Sequence, residues 1–190
     1  YEVLKGISFQ VQQNEFVAIL GPSGSGKTTM LNCISCFIPY DKGEIHLGNI
    51  RLASLSEDEQ ADVRNRKLGL VFQDFMLLDG LTIKENIMLP RIIAGKANHQ
   101  TEESADRICQ ILGIAHLRGK YPAELSGVEH QHATVARALI NNPLVILADE
   151  PTGNLDSNAS ASVMESLKQA QANLDATILM VTHDSFVASH

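Results

Sequence analysis

Eight consecutive residues near the start of the chain have the types and spacing of a phosphate-binding loop. The run Gly21-Pro22-Ser23-Gly24-Ser25-Gly26-Lys27-Thr28 matches the pattern G-x-x-x-x-G-K-[ST] at every fixed position. Glycines let backbone N–H groups turn inward around an anion, and a following helix adds the positive end of its dipole. Lys27 is then expected to reach the β- and γ-phosphates of a nucleotide, and the Thr28 hydroxyl to ligate Mg²⁺.

Two carboxylates follow an apolar run much later in the chain. Residues 144–148 have the composition of a buried strand, and Asp149 and Glu150 come directly after them. Asp149 is expected to hold the Mg²⁺ shell through water, and Glu150 to orient or deprotonate an attacking water. A strand that ends in Asp-Glu is weak evidence by itself, so this interpretation depends on its pairing with the loop at 21–28.

A third candidate is the start of a helix at Ser126. Ser126 and Glu129 are spaced as a capping box, in which each side chain accepts a hydrogen bond from the other residue's backbone N–H. Capping alone would explain the pair. A helix start also leaves backbone N–H groups free, and these could receive a phosphate.

The elements around these motifs predict an α/β fold with a mainly parallel sheet flanked by helices. Four runs are near-continuously apolar, which is typical of parallel strands covered on both faces. They span 16–20, 68–72, 144–148 and 177–181. Helical patterns span 28–34, 57–67 after the cap Ser56, 101–112 before Gly113, and 157–172 after Asp156, and Thr82 with Glu85 forms another capping box.

The chain between Lys27 and Asp149 is longer than a minimal doubly wound nucleotide fold needs. Its later part is mostly helical by pattern. The sequence therefore predicts a sheet core at 1–81 and 142–190, with a helical subdomain inserted at approximately 82–141.

Composition narrows the possible classes of protein. The net charge is −7, so no nucleic-acid partner is expected, because a phosphate backbone demands a basic face. Three cysteines favour packed thiols over a disulfide framework or a zinc site. No apolar run is long enough to cross a bilayer and no signal-peptide pattern is present, which predicts a cytosolic domain.

The order of the motifs resembles that of the ATP-binding subunit of ABC transporters, over essentially the whole chain. Six motifs carry the resemblance: the loop at 21–28, Gln73, the helix start at 125–132, Asp149-Glu150, Asn154-Leu155-Asp156 and Thr182-His183-Asp184. It implies a P-loop NTPase fold with an inserted helical subdomain, in an ABC ATPase domain spanning 1–190 that is trimmed at both ends. The family's adenine-stacking aromatic residue would lie before Tyr1.

The resemblance also implies roles for individual residues. ATP contacts fall on Gly21, Pro22, Ser23, Gly24, Ser25, Gly26, Lys27, Thr28 and Thr29, and contacts with a partner chain's nucleotide on Ser126, Gly127, Val128, Glu129 and Asp156. The implied catalytic residues are Glu150, His183 at the γ-phosphate, and Gln73. The implied Mg²⁺ ligands are Thr28, Gln73 and, through water, Asp149.

The family mechanism implies partners as well as ligands. Two copies would stack head to tail, with each ATP held between the phosphate loop of one chain and the Ser126 helix start of the other. The resulting cycle would drive a transmembrane permease from the cytoplasmic face of the membrane. The stretches at 31–35, 72–79, 81–87 and 151–156 resemble the bacitracin-type peptide-antibiotic exporters, grouped with macrolide exporters and lipoprotein-release ATPases.

The helix start departs from the family pattern at two positions. Val128 replaces the second glycine of Leu-Ser-Gly-Gly-Gln, and His132 stands where arginine is common. Loss of one hydrogen bond to a charged group costs about 1.5–3 kcal/mol, or about 10- to 100-fold in an equilibrium constant. We therefore expect weakened ATPase with retained ATP binding, unless a small shift accommodates the valine. A non-transport ABC-type ATPase and a hydrolysis-impaired nucleotide-binding regulator are the alternative functions.

Overall fold

Four parallel strands form the central sheet of the computed structural model, which describes residues 2–189 and leaves Tyr1 and His190 outside the description. The strands in chain order are β1 (Phe16–Leu20), β2 (His46–Leu47), β3 (Ile50–Arg51), β4 (Leu68–Val71), β5 (Val145–Asp149) and β6 (Ile178–Thr182). The helices are α1 (Lys27–Ile34), α2 (Glu57–Lys67), α3 (Ile83–Ile93), α4 (His99–Ile111), α5 (Gly127–Leu139), α6 (Ser157–Leu174) and α7 (Ser185–Ala188). Single 3-10 turns cover Leu52–Ser54, Ala115–Leu117 and Pro122–Glu124.

The strand order in the sheet is β1-β6-β5-β4, and every neighbouring pair is parallel. This confirms the predicted α/β class and all four predicted strands, with boundaries shifted by at most one residue. Leu20 pairs with Thr182 and Asp149 pairs with Val181, so the carboxyl ends of β1, β5 and β6 meet at one edge. The loops that follow these strands therefore converge there.

Strand β1 differs from its prediction in burial. Its first four residues are only half-buried, and Leu20 is 51% exposed. The physical reason is position, because β1 lies at the edge of the described sheet and pairs only with β6. Its apolar composition made it look like a central strand.

Each face of the sheet has its own hydrophobic core. On one face, Val71, Ile146 and Met180 pack with helices α3 to α6. On the other face, Leu147 and Val181 pack with α1, α2 and the β2–β3 hairpin. Alternate residues of the same strands thus enter opposite cores, as the pleat of a two-sided sheet requires.

Helix α5 approaches the sheet especially closely at Gly69 of β4. A Cβ atom added to Gly69 would lie 2.6 Å from the Ala138 carbonyl oxygen, which is closer than real Cβ atoms come. Only glycine therefore allows this contact between the end of α5 and the strand backbone.

Local capping explains where several helices begin. The predicted capping boxes at Ser56, Thr82 and Ser126 are all present, and Asp156 caps α6 as predicted. Helix α4 begins two residues before its predicted start, because the Asn98 side chain caps it by accepting from the Thr101 N–H at 3.1 Å.

The antiparallel hairpin of β2 and β3 was not predicted from the sequence. Its two strands are two residues long and are joined by Gly48-Asn49. Gly-Asn between short apolar runs is a known hairpin signal, so this element could have been found.

Candidate functional site

The loop at 21–28 has the strand–loop–helix setting that its sequence predicts. It leaves β1, which is tied to β6 by the Gly21 N–H donating to the Thr182 carbonyl at 3.2 Å, and enters α1 at Lys27. Gly24 and Gly26 have φ angles of 77° and 93°, in the left-handed region that favours glycine. Helix α1 has no side-chain cap, so its first N–H groups remain available to an anion.

Lys27 lies over the inside of this loop. Its Nζ donates to the carbonyl oxygens of Gly21 at 2.8 Å and Pro22 at 3.1 Å. The same Nζ lies 3.6 Å from Glu150 Oε1, and the Lys27 side chain is only 9% exposed. The ammonium group is thus held where the loop and the carboxylate converge.

Thr28 and Asp149 are joined across the site. The Thr28 hydroxyl donates to Asp149 Oδ1 at 3.0 Å, although the two residues are far apart in sequence. Burial raises the pKa of Asp149 above its ordinary value, and the hydrogen bond from Thr28 opposes that rise. The pair presents two oxygen atoms at the mouth of the loop.

Glu150 and His183 form the third contact of this group. Glu150 Oε2 lies 2.9 Å from His183 Nδ1 and accepts from the His183 backbone N–H at 3.2 Å. Glu150 has a φ of 46°, in the left-handed region, which costs a non-glycine residue about 1–2 kcal/mol. Glu150 thus leaves the strand conformation directly after β5, and its carboxylate contacts both Lys27 and His183.

Gln73 lies near this group and bonds to a different partner. Its amide Nε2 donates to Asn154 Oδ1 at 2.9 Å, and Asn154 Nδ2 donates back to the Gln73 carbonyl at 3.2 Å. Gly153 lies against the Gln73 side chain, because a Cβ there would be 3.0 Å from it. The loop after β4 is therefore tied to the loop after β5.

The Ser126 helix start stands apart from the phosphate loop. Ser126 Oγ and backbone N–H each bond Glu129 Oε2 at 2.8 Å, and the Glu129 N–H donates to Ser126 Oγ at 3.4 Å. The backbone bond from Ser126 is the main reason that the pKa of Glu129 lies below its ordinary value. Within residues 2–189, no hydrogen bond joins this helix start to the loop at 21–28.

The neighbours of this helix start are aromatic and aliphatic side chains. The His130 ring stacks on Phe75 with centroids 4.9 Å apart, and His130 Nδ1 lies 2.9 Å from the Ser126 carbonyl oxygen. A Cβ on Gly127 would lie 3.2 Å from Leu155, so the loop that leads to Asp156 packs beside it. Asp156 itself accepts from the Ala159 N–H at 2.9 Å as the cap of α6.

The two unusual residues of this helix have ordinary helical surroundings. Val128 is half-buried in the first turn of α5. His132 Nε2 lies 3.4 Å from the Ser162 carbonyl oxygen, and burial lowers the pKa of His132 below its ordinary value. This shift disfavours a positive charge at His132, unlike the permanent charge of an arginine.

Three polar side chains that the sequence analysis missed hold the loop around Gln73. They are Asn86, Gln131 and Arg137, and each bonds backbone groups between Phe72 and Thr82. No local pattern marks them, because their partners are main-chain groups, which carry no sequence signal, and those of Gln131 and Arg137 are also distant in sequence. Only the paired helices bring them to the loop.

Metal clusters and membrane spans are both absent from residues 2–189. The described side chains form no cluster of three or more His, Cys, Asp or Glu that could hold a metal ion. Within the same residues, no helix combines the length and apolar character needed to span a membrane. All three cysteines are free, and burial raises the pKa of the Cys109 thiol to about 11.

The parallel sheet, the glycine loop and the carboxylates at the strand ends together define a P-loop nucleotide-binding domain. Comparison with known proteins narrows this class. Residues 4–153 match the family described as ABC transporter. The ABC transporter ATP-binding protein YxdL of Bacillus subtilis is 48% identical over 190 residues, covering 100% of this chain and 74% of that protein.

Two other relatives agree with this match. The bacitracin export ATP-binding protein BceA of Halalkalibacterium halodurans is 45% identical over 189 residues, covering 100% of this chain and 75% of that protein. The dimeric structure of MJ0796, a bacterial ABC transporter cassette, superposes with a TM-score of 0.84 at 39% identity, covering 98% of this chain and 82% of the other. The chain belongs to the ABC transporter family, as an ATP-binding subunit with ATP hydrolase activity. This confirms the prediction made from the order of the motifs.

Proposed function

We propose that this subunit powers a membrane permease that exports peptide antibiotics or confers resistance to them. The observation that carries the catalytic part is the contact group of Lys27, Thr28, Asp149, Glu150 and His183 at one edge of the sheet. The peptide-antibiotic part is supported by the likeness to BceA, whose name assigns it to bacitracin export. The subunit would act at the cytoplasmic face of the membrane.

Each residue of the contact group has a distinct proposed role. Backbone N–H groups from Gly21 to Thr29 bind the ATP phosphates, and Lys27 neutralises the β- and γ-phosphates. Glu150 accepts a proton from, or orients, the attacking water, since its carboxylate is turned towards the loop. His183 holds Glu150 through Nδ1 and so has its other ring nitrogen free to meet the γ-phosphate.

The donor set at the mouth of the loop fits Mg²⁺. This cation prefers oxygen ligands and keeps several waters when it binds with a nucleotide. The proposed ligands are the Thr28 hydroxyl, the Gln73 amide oxygen and, through water, Asp149. The Thr28 hydroxyl and Asp149 Oδ1 lie 3.0 Å apart. When bound, Mg²⁺ would neutralise charge on the phosphates.

The Ser126 helix start is the proposed contact for a second copy's ATP. Ser126, Gly127, Val128, Glu129 and Asp156 lie together on α5 and the loop before α6, away from the chain's own phosphate loop. A half-site that lacks its own nucleotide loop is complete only with a second chain. The structure of the relative MJ0796 is dimeric, which supports a homodimer here.

A division of labour between two parts of the chain is also proposed. The sheet core at 1–81 and 142–190 would hold the nucleotide, and the helical subdomain at approximately 82–141 would carry the Ser126 helix start. The surface at 74–93 is the proposed permease contact. It exposes Met76 (62%), Leu78 (50%) and Ile93 (69%), which are apolar side chains that a partner would cover.

A hydrolysis-impaired nucleotide-binding regulator is the second candidate. Val128 favours it, because its branched side chain stands in the first turn of α5, where the family has glycine. The complete contact group around Glu150 favours an active enzyme.

The test is ATP-dependent dimerisation of a Glu150→Gln variant, followed by recovery of partners from detergent-solubilised membranes. We expect dimers with Mg-ATP, monomers without it, and co-purification of an integral membrane protein. Lys27→Ala in the same background is the matched control and should remain monomeric. Failure to dimerise, or recovery of DNA or ribosomes alone, would contradict the proposal.

A further inference from the structure

One half-buried cation, Arg137, holds the segment that follows Gln73 through backbone hydrogen bonds. Arg137 of α5 donates through Nη2 to the Phe75 carbonyl at 2.9 Å and through Nη1 to the Met76 carbonyl. Among residues 2–189 no carboxylate forms an ion pair with Arg137. Both hydrogen bonds of the Arg137 guanidinium are therefore made to the backbone of a single loop.

Two fully buried amides fix the same segment at its ends. Gln131, also on α5, donates to the Phe72 carbonyl at 3.2 Å, one residue before Gln73. Asn86 of α3 accepts from the Leu78 N–H at 2.7 Å and donates to the Leu78 carbonyl at 3.0 Å. Both side chains have 0% exposure. Gln73 is thus flanked on both sides by carbonyls tethered to α5.

A stability role alone explains Arg137 poorly. Burial lowers the pKa of Arg137, which shows that this environment disfavours the charge. Carbonyl groups on an exposed loop could bond to water instead, so they do not require a protein cation. What the cation adds is a fixed geometry, because its planar fork holds two successive carbonyls in one orientation.

The two ends of α5 lie in different functional regions. Ser126, at its start, is the proposed contact for the partner chain's ATP, and Arg137, near its end, holds the loop that carries Gln73. Between them α5 is hydrogen-bonded and largely buried, with Ala133, Val135 and Ala136 at 0% exposure. Helix α5 is thus one continuous, packed element that joins the two regions.

We propose that Arg137 is a positioning residue that links the Gln73 loop of each chain to the ATP bound at its partner's site. In this arrangement, capture of the partner's ATP by the Ser126 helix start orders the chain's own segment 74–78. This inference rests on the proposed ATP-dependent dimer. Arg137 itself touches neither nucleotide nor water in the reaction.

The test is hydrogen exchange of residues 70–82 in the Glu150→Gln background, with and without Mg-ATP. In the parent, we expect ATP to slow exchange both at the start of α5 and at amides 74–77. In Arg137→Met, protection at the start of α5 should persist, while the ATP-dependent protection of 74–77 falls at least about tenfold. Arg137→Lys keeps the charge but has fewer directed donors. Its ATP-dependent protection of amides 74–77 should therefore lie between those of the parent and Arg137→Met.

Arg64→Met is the matched control. Arg64 is also half-buried and donates to a loop carbonyl, that of Cys36 at 2.8 Å, but on the opposite face of the sheet. Its substitution should leave the ATP-dependent protection of 74–77 unchanged. A merely structural role of Arg137 would raise exchange equally with and without ATP.

The outcomes separate the two proposals. If the Glu150→Gln parent does not dimerise with Mg-ATP, the proposed function itself is wrong. If it dimerises but ATP protects 74–77 equally in Arg137→Met, the positioning role is overturned. Should Arg137→Met fail to fold, parent-like protection in Arg137→Lys would overturn it as well, and a reduced value there would support it.

Discussion

The phosphate loop and the Ser126 helix start differ in how far the chain completes them by itself. Around the loop, Lys27, Thr28, Asp149, Glu150 and His183 contact one another within a single chain. At the helix start, Ser126 and Glu129 bond each other in a local cap, and Glu129 also lies 3.9 Å from Lys120. One region is thus assembled by folding. The other is stabilised by folding, and its proposed ligand is the ATP of a second chain.

This difference supports the proposal that each chain positions its own catalytic groups and still requires a partner's helix start. Strand ends brought together by a parallel sheet give the proposed catalytic groups fixed positions before any ligand binds. A capped helix start keeps its shape whether or not a phosphate is present. Substitutions in the two regions should therefore have different consequences.

The largest expected effect contrasts one glutamate from each region. Glu150→Gln should lower ATP turnover by about 10²- to 10⁴-fold, because the carboxylate that receives or orients the water's proton is lost. Glu129→Gln should retain turnover within a few-fold, since glutamine also serves in a capping box. Steady-state phosphate release at saturating Mg-ATP measures both. An equal loss of ATP turnover in the two variants would contradict the proposed difference between the two regions.

Val128→Gly tests whether the helix start limits the reaction. Restoring the backbone approach to a charged phosphate is worth about 1.5–3 kcal/mol, so turnover should rise by about 10- to 100-fold. The measurement is turnover per dimer, with nucleotide affinity measured separately and expected to stay constant. Unchanged turnover would show that the valine is accommodated without cost.

Two serine caps separate stability from partner contact. Ser126→Ala and Ser56→Ala each remove the same kind of capping box and should each lower the free energy of unfolding by about 1 kcal/mol. Only Ser126→Ala should also weaken ATP-dependent dimerisation, by about tenfold for one hydrogen bond to phosphate. Chemical denaturation and sedimentation would measure the two quantities. A dimerisation defect in Ser56→Ala would contradict this assignment.

The smallest expected effect concerns Asp149 and pH. Because burial raises its pKa in the folded state, ionised Asp149 destabilises the nucleotide-free protein. Asp149→Asn should therefore be the more stable protein at pH 7, even though its hydrolysis is impaired. The difference should vanish below the ordinary carboxyl pKa of about 3.9 and grow as pH rises through the raised folded value. The measurement is thermal unfolding of both proteins between pH 4 and 8. A stability advantage of Asp149→Asn that shrinks as pH rises would contradict this prediction.

Sequence reasoning succeeded where the determinants are local. The capping boxes at Ser56, Thr82 and Ser126 and the glycine loop depend on residues within a few positions, and the structure confirms their geometry. The edge position of β1 depends on the strand order, which composition does not reveal. The bonds from Arg137 and Asn86 to the Gln73 loop also escaped prediction, because their acceptors are carbonyl groups that any sequence possesses.

The contact between Gly69 and Ala138 has a mechanical consequence for α5. Because Gly69 has no side chain, the Ala138 carbonyl near the end of this 13-residue helix lies against strand backbone, while Ser126 lies roughly 18 Å away at the other end. The end of α5 is thus held against the sheet at this contact. A methyl group added in Gly69→Ala would push that end away from β4, and we expect the resulting tilt to displace Ser126 as well.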